Sequence, residues 1–130
     1  MFGETSAFSG FSVDDLDAAR RFYGETLGLT VEERGEGEMR MLILTLAGGA
    51  PVFVYPKEDH APASFTILNF AVDDIDAAVD ELTQRGVTLE RYPGFEADDK
   101  GIVRNAGGGP EIAWFKDPAG NVLSVLNGHM

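Results

Sequence analysis

Few side chains of this 130-residue chain could act as nucleophiles, bases or metal ligands. There is no cysteine, which removes thiolate nucleophiles, thiolate metal sites and disulfides together. The two histidines, His60 in the polar stretch KEDHAPA and His129 beside the C-terminus, lie outside any strand-like run. We therefore expect both histidines to be solvent-exposed and without a catalytic role. The Asp-Asp pairs at 14–15 and 73–74 precede helix-like stretches and are interpreted as helix caps.

The remaining candidates are aromatic, amide-bearing or glycine-rich. Trp114, the single tryptophan, could stack on an aromatic or cationic ligand, or it could pack within a sheet. Tyr55 and Tyr92 could donate phenolic hydrogen bonds or act in acid–base catalysis. Asn69 interrupts an apolar run, where an amide costs free energy unless it finds a hydrogen-bond partner. The run 107–109, Gly-Gly-Gly, lacks the Lys-Ser/Thr of a phosphate-binding loop, so a hairpin or lid loop is predicted there.

Charge and composition exclude several classes of protein. The chain carries 22 acidic and 10 basic residues, a formal net charge of -12, which repels phosphate backbones and anionic lipids. Nucleic acid and membrane surfaces are therefore not expected as partners, whereas a cationic ligand would be attracted. The N-terminus lacks a secretory pattern, and no apolar run approaches the ~18 residues of a membrane span. These features predict a cytoplasmic protein with a buried core.

The positions of the candidate residues depend on an internal repeat. FSVDDLDAAR at 11–20 and FAVDDIDAAV at 70–79 are identical at seven of ten positions. Downstream, GLTVEER at 28–34 resembles GVTLERY at 86–92. A repeat of about half the chain indicates two copies of one supersecondary unit.

Each copy predicts a strand, a helix and three further strands. Asp14 with Asp17, and Asp73 with Asp76, are predicted to cap the helices. Apolar residues then recur at helical spacing, and a glycine at 28 or 86 ends each helix. The predicted strands are 7–13, 29–34, 39–46 and 51–56 in the first copy and 65–72, 87–92, 111–116 and 122–127 in the second.

These motifs together resemble the vicinal oxygen chelate superfamily, which includes glyoxalases, bleomycin-resistance proteins and extradiol dioxygenases. The resemblance rests on the V-x-D-(L/I)-D step of each copy, on FY in the first helix and on KDPAGN before the last strand. It implies an α+β fold of two tandem βαβββ modules, at 5–58 and 64–128 of one 1–130 domain, whose mixed sheets curl into a ligand-holding cup. It also implies a homodimer, in which the cup lies within one chain or is shared between swapped chains.

The resemblance also locates four strand positions that carry His or Glu in the metal enzymes. In this chain they fall on Phe8, on Phe53 or Tyr55, on Ile67 and on Ser124. Aromatic, aliphatic and hydroxyl side chains are poor ligands for a divalent ion. We therefore expect neither a metal ion nor another cofactor.

A metal-independent protein that holds a small organic ligand, with a cationic aromatic molecule as one candidate, is the leading functional hypothesis. The alternative is a glyoxalase- or dioxygenase-type enzyme with an atypical metal set or with Tyr and Ser acid–base groups, and a scaffolding role is third. Three of the candidate lining residues, Phe8, Phe53 and Ile67, could instead fill the core. The full set of residues predicted to line the ligand site is Phe8, Phe53, Tyr55, Ile67, Asn69, Trp114 and Ser124.

Overall fold

The repeat folds as two compact units, Met1–Ala61 and Pro62–Met130. The structure is a computed structural model that describes residues 1–104 and 109–128. The predicted glycine loop at 107–109 falls mostly outside the described residues, and His129 lies outside them too. No helix in the described ranges has the length and apolarity needed to cross a membrane.

The first unit contains one four-stranded mixed sheet and one helix. The strand order is β1-β4-β3-β2, with β1 parallel to β4 and the other neighbours antiparallel. Helix α1 continues into a π-helical turn, Phe22–Thr26, and packs against β3 and β4. The elements are β1 (Ser9–Val13), α1 (Leu16–Arg21), β2 (Thr30–Arg34), β3 (Met41–Thr45) and β4 (Val52–Pro56).

The second unit repeats this plan. Its strand order is β5-β8-β7-β6, with β5 parallel to β8 and the remaining pairs antiparallel. Helix α2 packs against β8. The elements are β5 (Thr66–Val72), α2 (Ile75–Gln84), β6 (Leu89–Glu90), β7 (Ile112–Lys116) and β8 (Val122–Asn127). The predicted α+β class with two mixed sheets is confirmed.

The second aspartate of each predicted capping pair is the N-cap. The side chains of Asp15 and Asp74 accept hydrogen bonds from the N–H groups of the residues three positions on, so these two aspartates are the N-caps. Asp17 and Asp76, which were also predicted to cap, instead bind arginines from elsewhere in their own units. The predicted glycine stop of α2 is confirmed, because Gly86 has a φ of 87° and its N–H donates to the carbonyl of Thr83.

The KDPAGN motif has a structural role in the second unit. The carboxylate of Asp117 accepts hydrogen bonds from the N–H groups of Ala119 and Asn121 and from the Asn121 side chain, each at 2.9 Å. These bonds close the turn between β7 and β8 and fix their register, in which Trp114 lies opposite Ser124. The motif therefore positions two of the predicted site residues.

Candidate functional site

Three of the predicted site residues lie in one row across the second sheet. Asn69 on β5 is in register with Ser124 on β8, and Ser124 is in register with Trp114 on β7. Glu90 on β6 completes the row opposite Trp114. Residues in register on neighbouring strands point to the same face of a sheet, so these four side chains are neighbours.

The predicted requirement for a partner at Asn69 is met within this row. The Ser124 hydroxyl, which is fully buried, donates a hydrogen bond of 2.5 Å to Asn69 Oδ1. The bond joins β5 and β8 and satisfies both polar groups. Since the proton of Ser124 goes to an amide oxygen, which is not a base, this serine is not activated as a nucleophile.

Trp114 is held in a fixed orientation by contacts on several sides. Its indole Nε1 donates a hydrogen bond of 3.2 Å to Thr66 Oγ1. The rings of Tyr92 and Phe95 meet it edge-on, with centroid distances of 5.6 and 5.3 Å and interplanar angles of 77° and 61°. Edge-to-face pairs of this kind are favoured electrostatically.

These rings surround an open pocket of about 180 Å³. An apolar cavity of about 150 Å³ is large enough to hold benzene, whereas drug-sized ligands occupy pockets of roughly 300 Å³ or more. The pocket therefore suits a ligand with a single ring. Its lining residues are Ser64, Phe65, Thr66, Tyr92, Phe95, Trp114 and Val122.

The polar groups near the pocket favour a cation. Glu90 lies directly opposite Trp114 on the neighbouring strand, and its carboxylate forms a long ion pair with Lys116, whose Nζ lies 3.7 Å away. A carboxylate beside aromatic faces, in a protein of net charge -12, attracts cations more than anions. The Tyr92 hydroxyl is buried and has no hydrogen-bond partner among the described residues.

The pocket exists because the edge strand of the second sheet is split. A strand was predicted over 87–92, but pairing with β7 stops after Leu89–Glu90 and resumes at Val103, which bridges to Ile112. Residues 91–102, between these two paired segments, leave the edge of the second sheet and bring Tyr92 and Phe95 into contact with Trp114. We call residues 91–102 the strap. In the first unit the corresponding strand, β2, pairs continuously with β3.

A hydrogen-bonded turn shapes the strap. The Asp98 carboxylate accepts from the N–H groups of Lys100 and Ile102, each at 2.9 Å. Gly101 in this turn has a φ of 92°, and a Cβ there would lie 2.7 Å from the Cβ of Leu89. Only glycine therefore lets the strap approach β6 this closely.

Arg104 anchors the end of the strap. Its guanidinium donates to Asp76 on α2 at 2.8 Å, to Asp98 at 3.1 Å and to Glu111 at 2.7 Å. The pKa of Asp76 is lowered from its ordinary value of 3.8, chiefly by the hydrogen bond from Arg104. Burial would raise the pKa of Asp98, but hydrogen bonds from the Ile102 N–H and from Arg104 outweigh it and lower that pKa.

The structure places the predicted residues of the first unit in an aromatic patch of that unit. The rings of Phe8 and Phe53 stack with centroids 4.5 Å apart, and Tyr55 shares the Phe53 face of β4. Phe8 is 63% exposed and Tyr55 is 42% exposed. The alternative in which Phe8 fills the core is therefore wrong, while a ligand contact by these three residues stays a prediction.

Ile67 and His60 are both half-buried in the structure. Ile67 lies where the register of β5 against β8 shifts, between Thr66 and Leu68, and is half-buried. His60 was expected to be solvent-exposed, but it is half-buried and its Nδ1 lies 2.6 Å from the Ser12 hydroxyl. The expectation failed because His60 follows the end of β4, which is parallel to the strand that carries Ser12.

Several lining residues were absent from the sequence-based set. Phe65 and Phe95 are 69% and 48% exposed, at the entry to β5 and in the strap. The signal that could have found Phe95 is its place after Pro93-Gly94 in an otherwise polar loop, where a large apolar side chain needs a reason to be exposed. Thr66 could be found only through its bond with Trp114, which connects residues 48 positions apart.

Comparison with known proteins identifies the family. A family model described as the Glyoxalase/Bleomycin resistance protein/Dioxygenase superfamily matches residues 7–125. The chain belongs to this superfamily. The resemblance inferred from the repeat and its motifs is thereby confirmed.

Several solved structures share this fold across nearly the whole chain. A family member from Sphaerobacter thermophilus is 24% identical, with a TM-score of 0.72 and coverage of 98% of this chain and 100% of that one. A glyoxalase family protein from Enterococcus faecalis is 23% identical, with a TM-score of 0.69 and coverage of 97% and 99%. An antibiotic binding protein from Streptomyces sp. CB03234 is 25% identical, with a TM-score of 0.65 and coverage of 97% and 98%. No curated protein gives a significant match.

The residues at the four positions that the resemblance assigns to metal ligands do not have the chemistry of a divalent-ion site. Phe8, Phe53 and Ile67 offer no donor atom, Tyr55 offers only a phenol oxygen, and the Ser124 hydroxyl is engaged with Asn69. Across residues 1–104 and 109–128, no three His, Cys, Asp or Glu side chains gather in a way that could hold a metal.

Proposed function

We propose that this superfamily member binds a small cationic aromatic molecule in the pocket beside Trp114 and does not need a metal ion to do so. The observation that carries the proposal is the arrangement of Tyr92 and Phe95 edge-on to Trp114, with the Glu90 carboxylate as the cross-strand neighbour of the indole. Aromatic faces and a carboxylate on one side of a sheet are complementary to a positive charge carried on a flat apolar body.

The lining groups, together with Glu90 beside Trp114 on the neighbouring strand, have distinct roles in this binding. The pocket volume of about 180 Å³ admits one ring, which the aromatic side chains contact over its faces and edges. Glu90 attracts the charge, and the Ser64 and Thr66 hydroxyls at the rim can orient a polar substituent. The Streptomyces structure described as an antibiotic binding protein supports small-molecule binding as a function that this fold can carry.

The chemistry of the row favours binding over catalysis. A hydroxyl nucleophile needs a base within hydrogen-bond reach, but the Ser124 hydroxyl donates to the Asn69 amide. The enzyme alternative has no comparable observation in its favour. That Phe8, Phe53 and Tyr55 contact a ligand is also part of the proposal.

The proposal is tested with phenyltrimethylammonium and its neutral isostere tert-butylbenzene. A ligand that binds only the folded state raises the unfolding temperature, and at equal concentration a tighter ligand raises it more. We expect phenyltrimethylammonium to stabilise the wild-type protein more than tert-butylbenzene, and Phe95→Ala to remove most of that stabilisation. Phe2→Ala, which removes another exposed phenylalanine, is the matched control. Equal stabilisation of the two variants would place the ligand elsewhere.

Assembly and location are also part of the proposal. The family resemblance implies a homodimer, and light scattering at micromolar concentration tests it, because a monomer would contradict it. The absence of cysteine suits a protein of the reducing cytoplasm. Fractionation of the producing cells tests that location, and recovery outside the cytoplasm would contradict it.

A further inference from the structure

The first unit contains a second pocket, of about 210 Å³, that the proposed function does not use. It lies at the junction between α1 and its π-helical turn, where Gly24 leaves room above Val31. A Cβ at Gly24 would lie 3.5 Å from Val31 Cγ2, so a larger side chain at that position would fill the pocket. The lining residues are Arg20, Arg21, Gly24, Glu25, Leu29 and Val31.

Arg20 and Arg21 differ from the other basic residues of the chain. The chain has ten lysines and arginines, and Arg91 donates to the carbonyl oxygens of Ala97 and Asp99. Within the described residues, Arg20 and Arg21 form no ion pair. The remaining seven all pair with carboxylates: Arg34, Arg40, Lys57, Arg85, Lys100, Arg104 and Lys116.

The usual helical partner of these two arginines is already engaged. Asp17 precedes Arg20 by three positions and Arg21 by four, the spacing at which helical side chains pair. However, Arg40 donates to Asp17 Oδ1 at 2.8 Å and to Glu33 Oε1 at 2.6 Å. The pKa of Asp17 is lowered first by the hydrogen bond from Arg40, while Arg20 and Arg21 act on it only through weaker, longer-range attraction.

The arginine pair belongs to the first copy of the repeat alone. The aligned positions in the second copy are Val79, which is buried, and Asp80, which pairs with Lys100. Within residues 1–104 and 109–128, the π-helical turn occurs in the first copy alone, at Phe22–Thr26, and π-helical turns of this kind are frequent at functional sites. The arginine pair and the π-helical turn at this pocket therefore distinguish the first copy from the second, although the two copies share the same order of strands and helix.

We propose that this pocket binds a small organic carboxylate, held by the guanidinium groups of Arg20 and Arg21. A guanidinium presents a planar pair of N–H donors that matches the two oxygens of a carboxylate. Leu29 and Val31 form the apolar part of the lining and contact a short hydrocarbon body. Glu25 adds one negative charge to the lining, which favours a singly charged ligand over a phosphate dianion.

The test uses butyrate and inorganic phosphate as separate probes of the isotope-labelled protein at low ionic strength. We expect butyrate to shift the backbone amide signals of Gly24, Leu29 and Val31 in a saturable manner, and to bind more tightly than phosphate. Tighter binding of phosphate would overturn the assignment to a carboxylate. Shifts that do not saturate in the millimolar range would overturn the site itself.

Two variants assign the binding to the pocket. Replacing both arginines by glutamine, R20Q with R21Q, should weaken butyrate binding at least about tenfold, as expected for lost charge-assisted hydrogen bonds. Gly24→Leu should block the pocket without changing its charge. Arg85→Gln, which removes an exposed arginine of the second unit, should leave binding unchanged. Unaltered binding in both pocket variants would contradict the proposal.

Discussion

The indole N–H of Trp114 donates a hydrogen bond of 3.2 Å to the hydroxyl of Thr66 and thereby sets the direction of the ring that forms one wall of the aromatic pocket. Trp114 lies on β7 and Thr66 is the first residue of β5, and β8 lies between these two strands in the sheet. The bond therefore spans a strand, and the orientation of the ring depends on the register of the whole sheet.

Removal of this bond should weaken ligand binding. Thr66→Val keeps the shape of the side chain but deletes the acceptor, leaving the indole N–H without its partner. We expect a loss of about 1 kcal/mol in the free energy of unfolding and a several-fold weaker affinity for phenyltrimethylammonium. Denaturant unfolding and calorimetric titration measure the two effects. Thr88→Val, at an exposed position, is the control, and equal behaviour of the two variants would show that the bond is unimportant.

Glu90 should determine the preference for charge. Glu90→Gln removes the carboxylate opposite Trp114 while keeping the side-chain shape. We expect weaker binding of phenyltrimethylammonium and unchanged binding of tert-butylbenzene, because only the cation gains from the carboxylate. Glu81→Gln, which removes a distant exposed carboxylate of α2, controls for the change in net charge. A parallel loss for both ligands would mean that Glu90 acts through packing rather than charge.

The closeness of the strap to β6 should depend on Gly101. Gly101→Ala places a methyl group 2.7 Å from Leu89 Cβ at a φ of 92°, and Gly86→Ala imposes a similar φ of 87° with nothing within 4 Å. Both variants should lose about 1 kcal/mol from the unfavourable backbone conformation. Gly101→Ala should lose more, and it alone should weaken binding of phenyltrimethylammonium, because the clash displaces Phe95. Equal losses of stability and unchanged binding would contradict this account of the strap.

The ionic anchor at Arg104 should make stability sensitive to acid. Asp76 and Asp98 have pKa values below the ordinary 3.8 of the unfolded chain. Their contribution to stability is therefore fully present above pH 3.8 and is lost as the pH falls through their folded-state pKa values. We expect the free energy of unfolding to decrease as the pH is lowered below about 4. The decrease should be smaller in Arg104→Gln, which is already less stable than the wild type at neutral pH.

Denaturant unfolding at neutral and acid pH measures this dependence. Arg85→Gln breaks an exposed helical pair with Glu81 and should change stability little at either pH. The same acid-dependent loss in wild type and in Arg104→Gln would show that other carboxylates dominate the acid response.

The parts of the fold that follow local rules could be predicted from the sequence. The repeated Val-Asp-Asp step predicts both helix starts because a short side chain with an acceptor oxygen satisfies the free amides of the first turn. Composition does not decide which aspartate of each pair forms the cap, since both could do so, and the structure shows that Asp15 and Asp74 do. Asn69 was predicted to need a partner, and Ser124 is that partner.

The split edge strand could not be predicted in the same way. Residues 87–92 have a strand-like pattern, but the departure after Glu90 depends on the contact of Gly101 with Leu89 and on the ion pairs of Arg104 with Asp76 and Glu111. These contacts join positions that are distant in sequence, so no local window contains them. The π-helical turn that shapes the Arg20–Arg21 pocket was missed because its residues follow ordinary helical spacing.

Metal-independent binding of a cation at the Trp114 pocket is tested by tryptophan fluorescence, since Trp114 is the only tryptophan in the chain. Chelator-treated protein is titrated with phenyltrimethylammonium while the emission is recorded. We expect a saturable change in emission without added metal, a weaker response to tert-butylbenzene, and a loss of the response in Phe95→Ala. An emission that stays unchanged until a divalent metal is restored, or that responds equally to the charged and neutral ligands, would contradict metal-independent binding of a cation at this pocket.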